Sequence, residues 1–160
     1  MLAVRRLRVG EGHLFRQLRL ASLREAPYAF STSYASALAR SPESWDEQAD
    51  STAQGTDRAT FIAFVDELPI GIAALYRHPD GSEVGELLQV WVTPEYRHTE
   101  VAVHLMDTVF QWAGDHGFRS VHATITEGNA RALAFYRKYG FEVAGDASSQ
   151  GEAILLGKQV

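Results

Sequence analysis

Cysteine is absent from the 160 residues. That excludes a disulfide scaffold, thiolate zinc sites, iron–sulfur clusters and any cysteine nucleophile. Long apolar runs are missing too. The longest are short, such as Ile70 to Tyr76 broken by Gly71, and none approaches the ~20 residues of a membrane span. Positive charge is in the minority: 15 Lys plus Arg face 20 Asp plus Glu, for a net −5. Such a chain is a poor default binder of nucleic acid or anionic membrane, so neither is expected as a partner. No His-Glu-x-x-His or comparable ligand spacing occurs, and no metal is expected. No Gly-x-Ser-x-Gly elbow occurs, which speaks against a serine hydrolase. Met1 to Arg8 is basic with no apolar core behind it, so a cytoplasmic location is expected.

What is present reads as an ordinary globule, 46% hydrophobic and 22% charged. A chain of this length buries roughly two-thirds of its unfolded surface and needs no staple. One mixed α/β domain over residues 1–160 is expected, with no linker or repeat. Val4, Leu7 and Val9 suggest an opening strand. Glu11 to Glu25 carries Leu14, Leu18 and Ala21 on one helical face, and Pro27 stops it. Tyr28 to Thr60 is harder to read, except that Ser41-Pro42 opens a helix reaching Ala53. Phe61–Asp66, Ile70–Arg77 and Leu87–Val92 are strands with short links, hence an antiparallel meander. After Thr93-Pro94 the period turns helical: Val101, Leu105, Val109 and Trp112 form one stripe, ended by Gly117. Val121–Thr126 is a strand, and Asn129 caps a helix Ala130–Tyr139 stopped by Gly140. Phe141–Ala144 and Ala153–Leu156 close as a hairpin around Gly145 to Gly151.

Two segments carry chemistry. Glu86 to Val92 is a strand that feeds Thr93-Pro94-x-x-Arg97 and a helix start. Such a junction gathers free backbone N–H groups and the positive end of a helix dipole, which suits phosphate. The second is Asn129-x-x-Ala132-x-x-Phe135-Tyr136-x-x-x-Gly140-Phe141. In this order the two resemble the GCN5-related N-acetyltransferase (GNAT) family, from the first strand to the closing hairpin.

The resemblance implies a mixed, mostly antiparallel sheet of about seven strands, splayed between strands 4 and 5, with about four flanking helices. It implies acetyl-coenzyme A as co-substrate and an amine acceptor that attacks the thioester directly. The pantetheine arm would pair with Val90, Trp91 and Val92. The pyrophosphate would sit on Arg97, His98, Thr99, Glu100, Val101, Ala102 and Val103. Asn129 and Ala132 would line the arm, although Asn129 is equally a plain helix cap. Tyr136 would protonate or hydrogen-bond the departing thiolate, or else is a core-edge aromatic beside Phe135. Glu86, eleven positions before Arg97, would be the general base, since an alkylammonium of pKa ~10 must lose a proton before attack. The alternative is a solvated strand-end carboxylate. His98 and His104 read as solvent-facing. Tyr28, Phe30, Tyr34 and Trp45 fall where the family binds acceptors, and either line that pocket or pack the helices. The resemblance also allows a homodimer.

One position departs from the pattern. Where the family's phosphate loop carries glycine, this sequence has Glu100. Glutamate there either crowds and repels a polyanion or turns to solvent at a helix start, where acids are favoured. The first option keeps a second function in view: a binding module of the same fold with weakened or lost acetyl-coenzyme A turnover.

Overall fold

The computed structural model describes residues 1–30, 32–126, 128–146 and 153–160, without the side chains of Tyr28 and Asp146. The chain opens with β1 (Leu2–Arg6) and α1 (Gly12–Glu25), then a 3₁₀ turn (Pro27–Ala29), α2 (Tyr34–Leu38) and α3 (Pro42–Ala53). The meander follows as β2 (Arg58–Val65), β3 (Leu68–Arg77) and β4 (Val84–Val92). A second 3₁₀ turn (Pro94–Tyr96) leads to α4 (Val101–Asp115), β5 (Ser120–Thr126), α5 (Ala130–Tyr139), β6 (Glu142–Asp146) and β7 (Ala153–Gln159). Residues 147–152, within the expected hairpin loop, lie outside the described residues.

The seven strands form one sheet in the order β1-β2-β3-β4-β5-β7-β6. Every neighbour pair is antiparallel except β4 with β5, which is parallel. A core lies on each face. One packs α4 against the sheet through Val101, Leu105, Met106, Val109 and Trp112, and takes in Tyr136 and Phe141 from the α5 end. The other packs α1 and α3 through Phe15, Leu18, Leu23, Trp45 and Ala49.

The helix ends follow the sequence signals. Ser41 Oγ accepts from the Ser44 N–H at 3.2 Å, and Pro42 holds the first turn of α3. Asn129 Oδ1 accepts from the Ala132 N–H at 3.3 Å. Gly140 adopts φ +120° and ends α5, after which Phe141 donates back to the Tyr136 carbonyl at 2.9 Å. α1 packs tightly on α3, where a Cβ at Gly12 would lie 2.9 Å from the Asp46 Cα.

Two expectations need correction and one is sharpened. The expected helices, about four, number five among the described residues, because the stretch after the Pro27 turn holds the short α2. Its N-cap is Ser33, whose side chain accepts from the Ser36 N–H. The opening strand is β1, Leu2–Arg6; Val9 lies beyond it and is exposed. Trp45 lines no surface. It is 2% exposed, edge-on to Phe15 at 5.5 Å between ring centroids, and covered by the Arg40 guanidinium at 3.9 Å. Its place on the buried α3 stripe with Ala49 and Thr52 decides this.

Candidate active site

β4 pairs with β5 only from Val84 to Leu87, matched to Ser120 through Ala123. Beyond Leu87 the two strands part. A bulge helps: Leu88 opposes Ala74 and Trp91 opposes Ile72, so Gln89 and Val90 share one partner position on β3. Gln89 takes φ +60°, and its Oε1 is buried without a partner. The backbone of β4 on the β5 side is therefore unladdered over Val90, Trp91 and Val92. Val90 is half-buried, while Trp91 and Val92 are each 8% exposed.

The strand is braced at its end. The Trp91 indole N–H donates to Glu25 Oε1 at 3.0 Å. Arg97 forms an ion pair with Glu25 and donates from Nε to the Val92 carbonyl at 3.1 Å. The Arg97 pair, helped by the Trp91 N–H, holds the Glu25 carboxyl below the usual carboxylate range. The Arg97 side chain is thus turned toward α1, and its backbone N–H already donates to the Pro94 carbonyl. Sequence reading named Arg97 and Trp91 but missed Glu25, which is distant in the chain and bears no local signal.

The amides that follow are different. His98, in the left-handed region at φ +63°, turns the chain into α4. Among the described residues the N–H groups of His98, Thr99, Glu100, Ala102 and Val103 have no acceptor, and Val101 has only a long contact of 3.4 Å to Thr99 Oγ1. The α4 dipole points its positive end at the same place. His98, Thr99, Glu100 and Val103 are exposed, Ala102 is half-buried, and Val101 is buried in the core. The arrangement is suited to an extended polyanion.

Across the gap stands α5. Asn129 and Ala132 are half-buried at its start. Tyr136 is 6% exposed, with its ring 5.5 Å from Phe135 and 5.2 Å from Phe141. Burial pushes its phenol well above the ordinary value, so the hydroxyl stays protonated at neutral pH. Its hydroxyl has no hydrogen-bond partner among the described residues.

The sequence model of the Acetyltransferase (GNAT) family matches residues 20–141. The chain belongs to that family. An uncharacterized N-acetyltransferase of Mycobacterium tuberculosis and one of Mycobacterium bovis are each 35% identical to it over 88 residues, 55% of this chain and 55% of theirs. The chain thus aligns with about half the length of these curated relatives. The PaiA N-acetyltransferase from Thermoplasma acidophilum, solved in complex with coenzyme A, superposes with a TM-score of 0.83 at 20% identity, covering 100% of this chain and 99% of that one. A GNAT-family acetyltransferase from Streptococcus pneumoniae superposes at 0.82 and 20% identity over 100% of both chains. These likenesses establish the GNAT fold, with its mixed sheet and parallel β4–β5 pair.

Glu86 lies on the α1/α3 face of this GNAT sheet, half-buried and without an ion pair among the described residues. It is opposite Tyr76 on β3 and in register with His122 on β5. His122, half-buried beside it, went unremarked in the sequence because neither its strand nor its spacing marks it. Of the aromatics expected near the acceptor, Phe30 and Tyr34 are half-buried against the α1/α3 core, and Arg24 donates to the Tyr34 hydroxyl. Tyr28 belongs to the first 3₁₀ turn.

Glu100 has φ −77° and ψ −4°, a conformation open to any residue. Glycine is not needed there for backbone geometry. The side chain is exposed and caps nothing. What remains of the departure from the GNAT pattern is a solvated charge beside the free amides.

Proposed function

We propose that this chain is an acyltransferase that moves the acetyl group of acetyl-coenzyme A to a primary amine by direct attack, without an acyl-enzyme. The observation that carries this reading is the opened β4–β5 seam. It leaves strand backbone unpaired beside a set of amides that lack acceptors among the described residues, with a protonated phenol on α5, the helix that follows β5. The residues fit the donor: Val90 to Val92 offer backbone to an amide-bearing arm, and His98 to Val103 offer N–H groups to a pyrophosphate. Bound there, the donor supplies an acetyl thioester with a good leaving group.

The chain's own groups manage the protons. Glu86, directly or through a water, accepts the proton of the incoming ammonium, so that the amine can attack the carbonyl carbon. Tyr136 Oη gives its proton to the sulfur as the C–S bond breaks. Asn129 holds the first turn of α5 and so sets where Tyr136 stands. Ala132, half-buried with no bulk beyond its methyl, leaves room for the arm. Calorimetric titration with acetyl-coenzyme A, followed by an amine screen with thiol detection, tests the reading. No donor binding would remove it and leave a non-catalytic module of the GNAT fold.

Two results are expected of the acidic residues. Glu86→Gln should flatten the acid limb of the kcat/KM profile and leave donor affinity unchanged. An unaltered profile would assign the base elsewhere, with His122, in register on β5, the next candidate. Glu100→Gly and Glu100→Gln should each tighten donor binding several-fold, up to about tenfold, or about 1.4 kcal/mol. The two should act alike because the backbone gains nothing from glycine at φ −77°, and the gain should shrink as salt screens the charge. A gain seen only with glycine would mean that bulk, not charge, opposes the phosphates.

A further inference from the structure

Arg19 sits in the buried stripe of α1, between Leu18 and Ser22, and is 6% exposed. Charged side chains are almost never this deep unless paired. Among the described residues its side chain makes one hydrogen bond, from Nη1 to Ser22 Oγ at 3.3 Å, and its guanidinium lies 4.9 Å from the centre of the Phe30 ring. No carboxylate pairs with it among the described residues. A second cation, Arg40, acts on its charge; Arg40 is spent on Ser44 Oγ at 2.9 Å and the Ser44 carbonyl at 3.0 Å and, among the described residues, also lacks an acid. Arg58 stands over the Tyr76 ring at 4.8 Å with no ion pair of its own among the described residues. The chain has 20 acids for 15 bases, so arginines that lack an acid among the described residues do not reflect a shortage of acids. Burial and Arg40 push the Arg19 guanidinium down to about 10, which leaves it charged at neutral pH.

Its other N–H groups are not sealed. The fully enclosed, unpartnered polar atoms among the described residues are Trp45 Nε1, Thr60 Oγ1, Gln89 Oε1 and Trp112 Nε1, and none belongs to Arg19. Arg19 thus keeps donors unsealed among the described residues, with 6% of its surface exposed. Tyr76 ties Arg19 to the reaction: it acts on the Arg19 charge, and Glu86 is its cross-strand partner on the same face. A buried, forked cation with unused donors matches a compact oxyanion.

We propose that Arg19, seconded by Arg40, receives a carboxylate or phosphate carried by the acceptor amine, so that the acceptor is an amino acid or a similar zwitterion and not a plain polyamine. This rests on the acetyltransferase reading and on Glu86 lying toward the amine. The oxyanion and the ammonium would then bracket Tyr76, each meeting the opposite charge.

The test uses matched pairs at equal concentration: each of a set of amino acids against its decarboxylated amine, and phosphoethanolamine against ethanolamine. Thermal shift with coenzyme A present reads binding without turnover. The oxyanion-bearing members should raise the melting temperature and the stripped amines should not. Which pair responds separates carboxylate from phosphate. Arg19→Met keeps the stem and should remove the discrimination at least tenfold without lowering the melting temperature of the free protein, and Arg19→Lys should restore part of it. Equal response to both members, no response to any, or discrimination intact in Arg19→Met would overturn the proposal. Acetylation of the same amines is scored separately. Turnover without discrimination sinks this inference and leaves the transferase; binding of the zwitterion without turnover does the reverse.

Discussion

Tyr136→Phe is expected to lower kcat on the order of 10²-fold, about 2.7 kcal/mol of barrier, while the protein stays folded and binds the donor as before. The substitution removes one oxygen. The ring contacts that place Tyr136, 5.5 Å to Phe135 and 5.2 Å to Phe141, survive in phenylalanine. The hydroxyl has no hydrogen-bond partner to lose among the described residues. Stability should therefore hold or rise slightly, since an unpaired polar group leaves the core edge. A thiolate leaving without a proton is the step that suffers. Burial keeps the phenol protonated well past neutral pH, so no loss of activity between pH 7 and 9 should trace to it. Steady-state rates of the two proteins decide the matter. A variant within two- or three-fold of wild type would take Tyr136 out of the mechanism.

Much of this architecture was legible because local signals and the fold agreed. Pro42 behind Ser41 starts α3, and Asn129 and Gly140 bracket α5 at the residues where those caps stand. The stripe from Val101 to Trp112 is the buried face of α4. The opening of the seam was implied only by resemblance, since it depends on where β4 stops pairing with β5. Its bulge places Gln89, not a glycine, in the left-handed region, so nothing in the sequence marks it. α2 escaped notice because a single turn of Tyr-Ala-Ser-Ala-Leu has no period to read. Glu25 meets Arg97 across 72 positions of sequence, a distance no spacing rule covers. Arg19 is a different case. Phe15, Leu18, Arg19 and Ser22 stand at helical spacing on the buried face of α1, so an arginine inside an apolar stripe was visible in the letters. Its meaning came only with the absence of an acid around it among the described residues.

Trp45 separates a packing residue from a substrate-binding one, and the expected outcome of Trp45→Ala is loss of stability by about 3–5 kcal/mol. The indole is 2% exposed and meets Phe15 edge-on at the junction of α1 and α3. Its removal leaves a void between two helices already close enough that Gly12 admits no Cβ against Asp46. A domain of this size changes its melting temperature by about 2–4 °C per kcal/mol, so the drop should exceed about 6 °C. Trp45→Phe should cost much less. It keeps a ring against Phe15 and beneath the Arg40 guanidinium, and it deletes an indole N–H that is sealed without a partner. The acceptor KM of Trp45→Phe should stay near wild type. An acceptor KM that rose several-fold in Trp45→Phe, with the melting temperature unmoved, would return Trp45 to the acceptor pocket. The expected pattern instead assigns the indole to holding α3 on α1, beneath the Arg40 guanidinium.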